Sequence, residues 1–149
     1  MSAATESKIW QALKAGATSR LAAYSNVDWP QDSFEKPQRD NALLEYVEVR
    51  HLPAGVMWRP INSSGKQQRG GILQITLVWP AEQVGSDKVV HPDNLIQKAG
   101  VIADSFATDA RLRFEDVAVR VVEQPTVAQP LRDGVYWRVP ISINYSCFC

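Results

Sequence analysis

Gly70-Gly71-Ile72-Leu73-Gln74-Ile75-Thr76-Leu77-Val78-Trp79-Pro80 opens on two glycines, closes on a proline and is filled with β-branched and aromatic residues. Leu73, Ile75, Leu77 and Trp79 recur at period two, with Gln74 and Thr76 between them. Successive side chains of a strand point to opposite sides, so this pattern predicts a strand with one buried face and one partly wet face. Such a strand needs a helix over its apolar face and further strands along its edges. The stretch itself carries no catalytic signature.

Upstream, Leu43 to Leu52 predicts a second strand, with Leu44 and Tyr46, or Val47 and Val49, as alternative inward sets. Between the two strands runs an arm of about 53–70, containing Arg59, Lys66 and Arg69 and no acidic residue over 59–69. A connection of that length is usually functional or unstructured. It reads either as a solvated tip or as a contact with a partner protein or with DNA. Ile9, Leu13, Ala17, Leu21 and Tyr24 lie at helical spacing near the N-terminus, with Thr5 or Ser7 as candidate caps. Gly16, in the middle of that helix, suggests close packing against a strand. Residues 27–41 read as an excursion pinned by Trp29 and Phe34, either as plugs over the core edge or as part of a subunit interface.

Downstream, Pro92 and Asp93 start a second helix with Leu95, Ile96, Ala99, Ile102, Ala103 and Phe106 as its apolar set. It is expected to pack on the Leu73–Trp79 face. Val117 to Val122 predicts a strand, and 124–134 a turn-rich connection. The last strand has the longest alternation, with Val135, Trp137, Val139, Ile141, Ile143 and Tyr145 against Tyr136, Arg138, Pro140, Ser142, Asn144 and Ser146. Pro140 lacks an N–H, which predicts an edge position or a bulge, and a long free edge favours self-association. The order is helix, strand, arm, strand, helix, strand, strand. It reads as one α+β domain over 1–149, with an antiparallel or mixed sheet, two helices and a long polar arm.

The 149 residues suffice for one domain with a substantial core. Sixteen basic residues balance sixteen acidic ones, so the counterion-displacing excess of a nucleic-acid binder is missing. No apolar run reaches the ~20 residues of a membrane-spanning helix, and the first residues lack a signal-peptide pattern. Synthesis in a cytoplasm is the expectation. Cys147 and Cys149, two apart, rarely meet the geometry of an unstrained disulfide and have no histidine pair to complete a metal site, so they read as free thiols, with a terminal redox or metal role as the alternative. His51 and His91 stand apart from any nucleophile signature, and capping or surface roles suffice for them. Glu45 with Glu48, and Glu115 with Asp116, read as solvated neighbours. Arg69-Gly70-Gly71 lacks the spacing and following helix of a phosphate loop. We therefore expect no catalytic, cofactor or metal residues and no enzyme activity.

Several marks in order resemble one family: Trp29-Pro30 with Phe34 and Pro37, Tyr46-Val47-Glu48-Val49, Leu52-Pro53, and Arg69-Gly70-Gly71-Ile72-Leu73-Gln74-Ile75. A proline after that strand, a helix ending in Ala103-Asp104-Ser105-Phe106, and Tyr136-Trp137-Arg138-Val139-Pro140-Ile141 with Tyr145 complete the series. The chain resembles the tail-terminator-like proteins of long-tailed bacteriophages, the group related to the lambda tail terminator. Where relatives often have Asn after Trp-Pro, this chain has Gln31. The resemblance implies a structural virion protein of the tail or neck, forming a ring, typically of six subunits. That ring would cap the head-proximal end of the tail tube, stop its polymerisation and present a surface for the head. Implied partners are other copies of the chain, the tail tube protein and head–tail connector proteins, with DNA only passing through the lumen. Interface candidates are Arg59, Lys66 and Arg69 on the arm, together with Trp29, Phe34, Trp137 and Arg138. Another neck or tail-completion protein is the near alternative. A small-molecule-binding domain or enzyme with a deep Trp- and Tyr-lined pocket is the distant one.

Overall fold

The computed structural model describes residues 2–24, 26–30, 34–36, 38–39, 42–57, 68–80 and 92–148. In chain order these form α1 (Ser2–Arg20), β1 (Val27–Asp28), β2 (Gln38–Arg39), β3 (Ala42–Leu43), β4 (Tyr46–Met57) and β5 (Gln68–Pro80). There follow α2 (Pro92–Ser105), β6 (Arg111–Phe114), β7 (Val117–Val121), β8 (Thr126–Val127), β9 (Leu131–Asp133) and β10 (Tyr136–Phe148). The α+β expectation holds, with one mixed sheet ordered β1-β4-β5-β10-β7-β6 among the described residues. β8 and β9 also pair with β10, and β2 and β3 make a separate small hairpin.

The expected alternation in β5 is real. Leu73, Ile75 and Leu77 are fully buried on the helix side, and Trp79 packs against the same core. Each such aliphatic side chain taken from water contributes about 1.5–3 kcal/mol. Val47 and Val49 of β4, and Val139, Ile141, Ile143 and Tyr145 of β10, share that face. Helix α1 lies over β6 and β7. Helix α2, expected over the Leu73–Trp79 face, sits chiefly on β10 and β8 with a smaller contact to β5. It buries Leu95, Ala99, Ile102, Ala103 and Phe106 as expected, whereas Ile96 is only half-buried. A Cβ built on Gly16 would lie 2.5 Å from Leu112 Cδ2, so this glycine does mark the close seat of α1 on β6. Thr5 and Ser7 lie inside α1 and cannot cap it, because the helix already begins at Ser2.

Both alternative inward sets of β4 are partly right, because the sheet is covered on two sides at one end. Val47 and Val49 face the helices, while Tyr46 joins Val78 and Tyr136 in a second buried cluster on the outer face, with Phe34 against it.

Two expectations need correction. β10 is not an edge strand: it pairs with β5 along its whole length and with β7, β8 and β9 on its other side. Pro140 is tolerated there for a local reason. Its carbonyl accepts from Ala128 N–H at 2.9 Å, so its ring nitrogen also faces away from β5, toward the break between β8 and β9. No ladder bond to β5 is lost at that residue. The arm is also shorter than expected. β4 and β5 stay paired to Met57 and Gln68, with an irregularity between Pro53 and Gly55, so its two ends are sheet and residues 58–67 lie outside the described region.

Candidate functional site

Odd-numbered residues of β5, β10 and the part of β4 before its irregularity at Pro53 face the helices and even-numbered ones form the outer face, and this parity decides where each interface candidate falls. Arg69 is on the helix side. Its guanidinium pairs with Glu6 of α1, and its side chain is 14% exposed, so it clamps α1 to β5 rather than projecting from an arm. Arg59 and Lys66 lie outside the described residues. Trp137 packs on the core with the Arg132 guanidinium 5.6 Å from its ring centre. Trp29 meets Trp10 edge to face at 6.4 Å under the Lys14 ammonium. Phe34 leans on Tyr46 at 5.0 Å, which in turn meets Tyr136 edge-on at 5.8 Å. Trp29 and Phe34 thus act as core-edge plugs on opposite sides of the sheet and do not form one patch.

Arg138 belongs to a ladder of charges across the outer face. It donates from Nε to Asp133 at 2.7 Å and from Nη1 to Glu48 at 3.2 Å. Glu48 also pairs with Arg50 at 3.7 Å, and Arg50 donates to the Asp28 carboxylate at 2.9 Å. The alternation Asp28, Arg50, Glu48, Arg138, Asp133 ties β1, β4, β10 and β9 together. Glu48, expected to be solvated, is held between two guanidiniums instead. Only a fold that brings β4 and β10 to either side of β5 gathers the five, so no sequence spacing reveals the ladder.

At the other end of the sheet, His51 and Tyr145 are joined through Nε2 and Oη at 2.5 Å. The His51 ring stacks on Trp10 at 5.5 Å. His51 is therefore half-buried structure and not a surface or capping residue. Burial lowers its pKa below the usual imidazole value, partly opposed by Glu6. Burial likewise pushes the Tyr145 hydroxyl up to about 12. Gly71 makes room for this pair: a Cβ there would lie 2.6 Å from the Leu52 carbonyl oxygen and 2.8 Å from the Tyr145 hydroxyl. Cys147 is buried in the neighbouring core, and Cys149 lies outside the described residues.

A cavity of about 240 Å3 lies beside the start of β4, lined by Ala23, Tyr24, Asn26, Glu45, Trp79 and Lys98. Ligand pockets typically enclose about 300–1,000 Å3, so it is not the deep pocket that a small-molecule reading requires. Among the described residues no group of three or more His, Cys, Asp or Glu side chains is arranged to hold a metal ion. No described helix is long and apolar enough to cross a membrane.

Comparison with known proteins adds three findings. The chain matches the family described as phage tail terminator protein over residues 8–145. One solved structure superimposes with a TM-score of 0.62 at 22% identity, covering 99% of this chain and 95% of that one, a likeness that concerns the fold alone. Over 92 residues the chain is also similar to vacuolar-sorting receptors 3 and 4 of Arabidopsis thaliana, at 28% identity, and to receptor 1 of Pisum sativum, at 25%. That stretch is 60% of this chain but only 14% of each receptor, so the chain spans a small part of those relatives.

Proposed function

The chain belongs to the phage tail terminator protein family, a family of tail structural proteins, and from that premise we propose that it assembles as a ring at the head-proximal end of a phage tail tube. The ring, of six subunits by the resemblance, ends tube polymerisation and offers the surface to which head–tail connector proteins join. DNA passes through its lumen. The protein works as a virion component of the tail or neck, made in the host cytoplasm, and carries out no catalysis. The observation that carries the reading is the family match along nearly the whole chain.

The fold is consistent with this role. A sheet with helices on one side and a charge-laced outer face is a rigid body, and the cross-strand ion pairs and aromatic clusters hold its outline. Among the described residues its margins are open: β6 has no further strand beyond it, and β1 covers β4 only at Val47 and Glu48. In the arm, Arg59 and Lys66 are assigned to the tube- or lumen-facing surface. Arg69 is withdrawn from that role because it pairs with Glu6.

Light scattering across concentration with negative-stain imaging, alone and with purified tail tubes, tests the reading. Rings with a central hole, or ring-shaped caps on tube ends, are expected, with weaker tube capping for the R59S/K66S variant. A protein that stays a single chain and ignores tube ends would sink the proposal.

A further inference from the structure

The two margins of the sheet are chemically unlike. On β6, Leu112 points into the core beneath α1, so Arg111 and Arg113 stand on the outer face, both exposed. Arg120 of β7 lies directly opposite Arg111 in the antiparallel register. Like charges placed opposite one another in a sheet are unfavourable. Asp109 neutralises only Arg120, at 2.9 Å, and Arg111 and Arg113 have no ion pair or hydrogen-bonded partner among the described side chains. Two residues apart on a strand, their Cα atoms are about 7 Å from each other. The β6 margin therefore presents two uncompensated guanidiniums on a rigid edge.

The cavity beside β4 lies at the opposite margin. It brings together the Tyr24 and Trp79 rings, the Asn26 amide and the Glu45 carboxylate. Glu45 has no cationic partner among the described residues, and its charge, after burial, helps to raise the pKa of the Tyr24 hydroxyl beside it. A carboxylate flanked by aromatic faces suits a cation on a long stem. Lys98 also lines the cavity, with its ammonium 5.2 Å from the Trp79 ring centre. Its side chain belongs to an exposed residue on α2 and can swing to water as a guest enters. At about 240 Å3 the space lies below the usual range of ligand pockets and has room for a guanidinium side chain.

We infer that a second copy of this chain is the occupant: the Arg111–Arg113 edge of one subunit docks at the Tyr24–Glu45–Trp79 cavity of the next. This rests on the ring reading and names the contact that builds the ring. A basic patch at one margin meeting the Glu45 carboxylate and aromatic rings of a hollow at the other is a heterologous contact. It repeats head to tail and closes when the rotation between subunits fits. Because the two patches sit toward opposite ends of the strand order, β6 at one end and β1 with β4 at the other, a single two-fold contact does not engage both.

The test is charge reversal and repair in the full chain, read by light scattering and imaging at one protein concentration series. R111E/R113E and, separately, E45R raise the concentration needed for rings by about tenfold or more, in line with losing one partner of a charge pair at an interface. The combined variant R111E/R113E/E45R restores assembly. The milder E45Q shifts it in the same direction as E45R, and circular dichroism confirms that each variant is folded. Rings that form equally well in wild type and both reversed variants overturn this contact and leave the terminator reading intact. A wild type that makes no rings, even on tube ends, overturns both. Loss of rings without rescue in the combined variant also overturns the pairing, placing the two patches in separate contacts.

Discussion

Gly71 shows how much a single position can carry. Its missing side chain lets β5 pass within contact of the Leu52 carbonyl while leaving room for the Tyr145 hydroxyl to reach His51. Backbone cannot step aside as a flexible side-chain end can, so Gly71→Ala is expected to cost about 1–3 kcal/mol. A lowered midpoint in thermal unfolding, with the fold retained by circular dichroism, is the predicted result. The same trio dictates a pH response. The folded-state pKa of His51 is depressed below 6.5, so its contribution is complete above that value and is lost as pH falls below it, where the unfolded chain takes up the proton first. Tyr145 works the other way. Its folded-state pKa is raised from 10.0 to about 12, so its contribution is complete below pH 10 and is lost as pH climbs toward 12. Urea unfolding across pH should show stability falling at both ends, with the alkaline fall reduced in Tyr145→Phe.

Among the elements, β10 departs furthest from expectation. Its alternation predicts the correct inward set, with Val139, Ile141 and Ile143 fully buried and Tyr145 5% exposed. The proline argument, by contrast, misplaces the whole strand at an edge. A proline reports on one side of one residue, and here that side faces the gap between β8 and β9. Pro140→Val should therefore be nearly neutral, within about 0.5 kcal/mol, since the N–H it adds faces Ala128 and takes nothing from the pairing with β5. Val139→Pro removes an N–H directed at β5 and leaves its carbonyl partner unsatisfied, which should cost about 1–3 kcal/mol. Denaturant midpoints for the two variants check the parity directly. Short elements were harder to read. β6 is only Arg111–Phe114, and its turn into β7 uses Glu115 at φ 52° instead of glycine, so neither length nor turn chemistry announces it.

For the molecule as a single object, periodicity made the fold class legible. Three long strands and two helices each carry an apolar stripe, and those stripes meet in one core. The interface candidates were less legible because their partners are remote in sequence. Arg69 reads as an arm cation until Glu6, 63 positions away, is brought to it. Arg138 reads as an exposed strand residue until Glu48, 90 positions away, arrives. Two arginines around a leucine, as at Arg111 and Arg113, gain meaning only when no described side chain in the fold neutralises them. The net charge of zero likewise conceals that unlike patches sit on opposite margins.

The central place of β10 bears on how the chain comes to be folded at all. During translation β4 and β5 leave the ribosome early and can zip into a hairpin, yet the strand that flanks β5 is made more than fifty residues later. Until then one side of β5, the free side of the β6–β7 pair, and β8 and β9 lack their shared partner strand. The nascent chain passes through a stage with sticky, half-built sheet, and sequence-distant pairing of this kind closes slowly. A ribosome stall or nonsense codon ahead of Tyr136 would thus release a product that aggregates, not a shortened chain that still folds.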